Sequence, residues 1–241
     1  MIGASFIEPL ILKQLLEKFG QLYSEILGIN LEKGIDEEVF KWFFASMLFG
    51  APITETSVIR TYKCFEKHNV LTPHAIVATG WQGLVDILDE GSYTRYDFKT
   101  ADKLLAVMGN LIETYDGSLN KLHKQTADSI DLEKHLKNLG KGIGNITVSI
   151  FLREMRGIWK KADPKPTPLV ILAAKNLEIT KEDDPQKVLK NLKSVWKQNK
   201  IPQKCFANFE TALLRVGKSY CREKRCNFCL LKFSCTNARL V

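Results

Sequence analysis

Residues 140–148 read GKGIGNITV, with three glycines at alternate positions between two stretches of helical apolar spacing. Gly142 and Gly144 can take positive φ and leave backbone N–H groups unshielded. Those groups, with the N-terminus of the helix that follows, form a place for a phosphate oxygen. Lys141 adds a positive charge beside it. An ordinary turn between two antiparallel helices also uses glycine here, so on local grounds the segment reads equally as an anion site or as a plain hairpin turn.

Outward from the hairpin the pattern stays helical. Phe6, Ile7, Leu10, Ile11 and Leu15 recur at helical spacing near the start, as do Leu104, Leu105, Met108, Leu111, Ile112 and Tyr115 in the middle. No stretch alternates as a strand would. Thr72-Pro73, Thr167-Pro168 and Asp184-Pro185 each put a capping oxygen before a proline suited to the first helical position. The spacing predicts an all-α fold with helices over 5–28, 36–49, 55–68, 73–79, 81–89, 97–115, 118–124, 130–138, 145–156, 168–176, 184–198 and 203–217. KKADPKPTP, residues 160–168, contains three prolines, excludes a continuous helix and reads as a crossing between two subdomains.

A chain of 241 residues with 45% apolar content can bury a sizeable core. No run approaches the length of a membrane span, and MIGASFIEPLILKQLLEKF at the start lacks a basic region followed by an unbroken apolar one. An intracellular protein without a membrane partner is therefore expected. Thirty-five Lys and Arg against 27 Asp and Glu give a net charge of +8, which favours anionic partners such as phosphate backbones or acidic membrane surfaces. A generally basic proteome would produce the same balance.

Four of the six cysteines, Cys221, Cys226, Cys229 and Cys235, fall in CREKRCNFCLLKFSC, spaced C-x4-C-x2-C-x5-C. Thiolates this close in a cytosolic chain suggest a metal centre rather than disulfides. Phe228, Leu230, Leu231 and Phe233 are expected to shield it from solvent. The spacing alone suits an iron–sulfur cluster or zinc. Cys64 and Cys205 lie outside the motif and are expected to pack as small apolar residues.

LGKGIGNITV resembles the helix-hairpin-helix motif of the DNA glycosylases of the endonuclease III superfamily. In that superfamily the hairpin grips the DNA backbone, and an essential Asp follows by nearly twenty residues; the corresponding acid is Asp163. The resemblance implies DNA contacts from Lys141, Gly142, Gly144, Asn145 and Thr147, and a catalytic carboxylate at Asp163. Base cleavage leaves positive charge on the sugar, which a carboxylate stabilises. Asp before Pro164 is equally a common turn residue. Bifunctional members carry a lysine nucleophile two residues after the second hairpin glycine, where this chain has Ile146. Base hydrolysis without efficient strand cutting is implied, unless a displaced lysine such as Lys141 or Lys161 takes the role.

Three further segments extend the resemblance over about residues 35–241. FFASMLFGAPITETSV, residues 43–58, is similar to the helix and loop whose glutamine fills the space of the flipped base, and Pro52 stands in its place. GSYTRYDFKTADKLL, residues 91–105, resembles a segment bordering DNA and pocket, which implies roles for Tyr93, Arg95 and Tyr96, though aromatics covering a core edge read the same way. The cysteine run is similar to the family's terminal [4Fe–4S] loop, with its first spacing two residues shorter, Gly217 four residues before Cys221, and Arg222, Lys224 and Arg225 offered to phosphate.

The implied architecture is a six-helix subdomain over 34–156 with the hairpin, and a cluster subdomain from 1–33 plus 157–241, the DNA lying between them. The implied partner is double-stranded DNA holding a lesion or mismatch, bound by a monomer. A protein that keeps the scaffold and binds DNA without catalysis fits Ile146 and Pro52 as well.

Overall fold

A computed structural model describes residues 7–235 and 238, so the predicted helical start at residues 5 and 6, including Phe6, lies outside the described residues. The all-α expectation holds: helices dominate, and the described residues contain no strand beyond a single bridge between Arg156 and Trp159. No described helix is long and apolar enough to cross a membrane.

The chain divides into two compact units. Residues 24–164 form one, and the described residues up to Tyr23 join those from Lys165 onward to form the other. These boundaries differ from the expected 34–156 and 1–33 plus 157–241, because the segment after Tyr23 belongs with the hairpin unit. Its anchor is buried: the Ser24 amide donates to the Glu154 carboxylate at 3.0 Å.

In the second unit, α1 (Pro9–Phe19) packs on α12 (Phe206–Val216), beside α10 (Pro168–Asn176) and α11 (Pro185–Gln198). Leu12, Leu15, Leu16, Val188, Leu192, Phe209 and Leu213 form its core. The predicted single helix over 5–28 is instead α1 followed by the short α2 (Tyr23–Ile26). The break has a visible cause. Arg215 donates to the carbonyls of Phe19 and Gln21, and Asn208 donates to that of Gly20 at 2.8 Å, so side chains take acceptors that a continuous helix would use itself.

The hairpin unit is built around α3 (Asp36–Phe49), whose Val39, Phe40, Trp42, Phe43, Phe44, Met47 and Leu48 are all buried. A helix apolar on nearly every side belongs at a centre. α4 (Glu55–Lys67), α7 (Leu119–Gln125) and α9 (Asn145–Glu154) pack on it, while α5 (Pro73–Glu90) pairs with α6 (Asp97–Tyr115) and α8 (Ser129–Asn138) leads into the hairpin. Trp42 Nε1 donates to the Phe151 carbonyl at 3.1 Å and Phe43 meets Phe151 edge-on, tying α3 to α9. The predicted pair 73–79 and 81–89 holds: Pro73–Glu90 is two helical stretches separated at Gly80, whose φ of 70° and ψ of 173° are not helical.

Two of the three expected proline caps form. Thr72 accepts from the Ala75 amide at 3.1 Å and Asp184 from that of Lys187 at 2.9 Å, whereas α10 begins at Pro168 with no cap bond from Thr167. Cys64 is buried as expected. Cys205 is exposed, because it is the N-cap of α12, its amide bonded to the Asn208 side chain at 2.8 Å.

Candidate nucleic-acid interface and thiolate cluster

The hairpin is built for close approach on one side and exposure on the other. A Cβ on Gly140 would lie 2.7 Å from Val107 Cγ2, so glycine lets the turn sit against α6. Ile143, 5% exposed, pins the loop inward. Gly142 has φ +95°, the left-handed region that favours glycine. Gly144 does not: it is the N-cap of α9 in extended backbone at φ −101°. Lys141, Gly142, Gly144, Asn145 and Ile146 are exposed. At the start of α9 the amides of Asn145, Ile146 and Thr147 have no preceding turn to bond, which makes this end a place for an anion.

Thr147 requires a correction. Its side chain is buried and faces Gly50, whose added Cβ would lie 2.4 Å from Thr147 Oγ1. Only its backbone amide can face a ligand. The hydroxyl instead marks where α9 crosses the end of α3.

Lys103, on α6, is a residue the sequence reading missed. Its aliphatic stem lies along Gly142, where an added Cβ would be 3.1 Å from Lys103 Cδ, and its Nζ donates to the Met47 carbonyl at 3.1 Å. Burial pulls its pKa from 10.5 down to about 8. No local motif signals such a lysine, since its burial comes from a hairpin nearly forty residues away in the chain. Between pH about 8 and 10.5 the unfolded chain holds this proton and the folded chain releases it, so stability rises with pH across that window. Lys103→Met should remove that contribution: relative to the variant, the wild type gains on the order of 1 kcal/mol per pH unit. Urea unfolding of both proteins at the two ends of the window measures the difference, and parallel slopes would refute it.

Asp163 lies in the same unit as the hairpin, in the turn region that follows α9. Arg156, 8% exposed, forks its guanidinium between the Asp163 carboxylate and the Pro164 carbonyl. The acid is thereby fixed in place, with its side chain 41% exposed. A carboxylate held in this way can stabilise positive charge that develops beside it. The same turn is braced by Trp159, which stacks on His123 at 4.5 Å and donates to Asn120 Oδ1 at 2.8 Å. Burial, then the Lys161 charge, holds the His123 pKa below its usual value. Lys161 is engaged too, its ammonium donating to the carbonyls of His123 and Thr126 at the end of α7.

The remaining positions separate by burial. Pro52 is exposed in the bend between α3 and α4. Arg95 is exposed with its guanidinium 5.4 Å from the centre of the half-buried Tyr96 ring. Tyr93 is corrected outright: it is fully buried, its hydroxyl donates to the Leu48 carbonyl at 2.7 Å, and burial pushes its phenol well above the usual range. The nearby Gly91 is there for close approach, an added Cβ falling 2.4 Å from Thr61 Cα on α4. This segment's glycine and first tyrosine therefore serve packing, and of its three candidate DNA-facing residues Arg95 and Tyr96 remain at the surface.

In the other unit, Gly217 opens a π-helical turn over Gly217–Cys221 and lies so close to α10 that a Cβ would meet the Leu169 carbonyl at 2.2 Å. This turn delivers Cys221 to a cavity also lined by Cys226, Cys229, Cys235, Leu177, Val216 and Leu231. Burial, reinforced by the neighbouring cysteines, raises the Cys221 and Cys229 thiols. Cys235 Sγ lies 3.3 Å from the Asn176 carbonyl oxygen. Among the described residues no group of three or more His, Cys, Asp or Glu side chains is arranged to hold a metal ion as it stands. Four sulfurs around one cavity with apolar walls nonetheless suit a thiolate-held group.

Of the four apolar residues expected to shield this centre, only Leu231 is buried; Phe228, Leu230 and Phe233 face solvent. Arg222, Lys224 and Arg225 are exposed in the loop between the first two cysteines, with Arg222 bonded to Glu223 at 2.8 Å. The chain matches no family model, and no curated protein matches it.

Proposed function

We propose that this chain is a DNA glycosylase that draws a damaged or mispaired base out of the duplex and hydrolyses its N-glycosidic bond. The observation that carries the reading is the exposed hairpin, with Gly142 at φ +95°, in the same unit as an Arg-fixed, partly exposed Asp163. The amides at the start of α9, with Lys141 and Asn145, hold a backbone phosphate. Asp163 then stabilises the positive charge that develops on the sugar and orients water for attack. Ile146, 67% exposed at the position of the lyase nucleophile, has no amine, and Lys161 is committed to two carbonyls. Strand cutting is accordingly inefficient. Pro52 and Tyr96, with Arg95, face the DNA near the extruded base.

Cys221, Cys226, Cys229 and Cys235 would hold a [4Fe–4S] cluster, with zinc as the alternative. A group bound there would cross-link the last described segment and fix the loop that carries Arg222, Lys224 and Arg225.

A second reading is favoured by the Arg156–Asp163 pair itself: the acid is already satisfied by a counter-ion, as in a scaffold that binds DNA without catalysis. One assay separates the two. Duplexes carrying uracil, a thymine mismatch, an oxidised pyrimidine, oxidised guanine or an alkylated purine are incubated with the protein, then analysed with and without alkali. The glycosylase reading expects breaks at one lesion class, appearing only after alkali. Tight duplex binding with no release from any substrate would establish the binding-only reading.

A further inference from the structure

The three apolar side chains that fail to cover the thiolate cavity point to a different use. Phe228 is 79% exposed, Leu230 58% and Phe233 80%, all within six residues. Isolated surface apolar residues are ordinary, but three large ones in so short a loop make a patch. Cations run through it. Arg225 is exposed, and Lys232 holds its ammonium 5.0 Å from the centre of the Phe233 ring. Beside them Ser219, Tyr220, Arg225 and Phe228 line an open cavity.

We propose that this cavity takes an unpaired base of a single-stranded nucleic-acid segment, stacked on the aromatic side chains, with Arg225 and Lys232 beside the adjoining phosphates. Every base has a π-face, so aromatic stacking of this kind is tolerant of sequence. Bases inside a duplex are already stacked and expose only their edges, so the aromatic part of the site is silent toward intact double strands. A hydrocarbon chain is the poorer occupant. It would cover the Ser219 hydroxyl and the Arg225 guanidinium without offering either a hydrogen bond, whereas a base brings polar edges into the same space. The site belongs to the unit that does not contain the hairpin or Asp163, and its aromatic part, Tyr220 and Phe228, has no role in base excision.

The test is equilibrium binding by fluorescence anisotropy, using the full chain with its metal complement as purified. The probes are a labelled oligo-dT, a blunt duplex and vesicles rich in phosphatidylserine. Phe228→Ala should weaken oligo-dT binding by roughly 5- to 150-fold and leave duplex binding unchanged, while Phe228→Trp restores it. Arg225→Ala should weaken both nucleic acids and lower the salt slope by about one counterion. Phe228 projects into solvent, so its replacement does not endanger the fold. Equal oligo-dT affinity in Phe228→Ala and wild type would overturn the proposal. So would equal losses on single and double strands, or a Phe228-dependent attachment to vesicles in place of the oligonucleotide.

Discussion

Asp163→Asn is expected to slow base release by roughly 10²- to 10⁴-fold, with duplex affinity close to that of the wild type. Asparagine keeps the carbonyl oxygen in the position of the carboxylate oxygen that Arg156 engages, so the turn retains its donor and acceptor. What disappears is the negative charge. That charge matters most when the glycosidic bond is broken and the sugar is positive, and little when intact DNA sits on the hairpin. Single-turnover release from the most sensitive lesion, beside binding to the same duplex, separates these contributions. A folded Asp163→Asn protein that releases base at the wild-type rate would reduce Asp163 to the counter-ion of Arg156. Some loss of stability is expected in either case, because Arg156 is buried and loses a charged partner.

The second large effect is expected at the thiolate cluster. Cys226→Ala should remove the visible absorption of a [4Fe–4S] cluster and destabilise the unit that contains residues from Lys165 onward. Structural metal sites can contribute on the order of 10 kcal/mol to small domains, and here Cys229 and Cys235 belong to the core cluster with Leu213 and Val216. Loss of a group held by these thiolates would therefore reach directly into that core. Limited proteolysis should digest the C-terminal segment of the variant first, while residues 24–164, with their own core around α3, persist. Metal analysis completes the test. Iron with sulfide supports the cluster, zinc in a colourless protein supports the alternative, and a metal-free protein indifferent to Cys226→Ala would refute the site.

How far local sequence reached can be traced residue by residue. The break at Gly80 and the caps of Thr72 and Asp184 were legible, because each depends on neighbours a few positions away. The hairpin was legible for the same reason, since glycine marks backbone conformation directly. Tyr93 was not. An aromatic beside an arginine suits a DNA surface and a core edge alike, and the choice fell to the Leu48 carbonyl on a helix forty-five residues away. Thr147 turned inward because Gly50 left room for it. Lys103 acquired its depressed pKa from a hairpin that reaches it only through the fold.

By itself the amino-acid sequence determined the helical class, the bare hairpin before α9 and the grouping of four cysteines, because apolar periodicity, glycine and short thiol spacing act over one or two helical turns. Tertiary structure alone decided which aromatics are core and which are surface, that Arg156 clamps Asp163, and that Phe228, Leu230 and Phe233 face water. Burial and ion pairing are properties of surfaces brought together from distant parts of the chain, and no local pattern encodes which surface arrives.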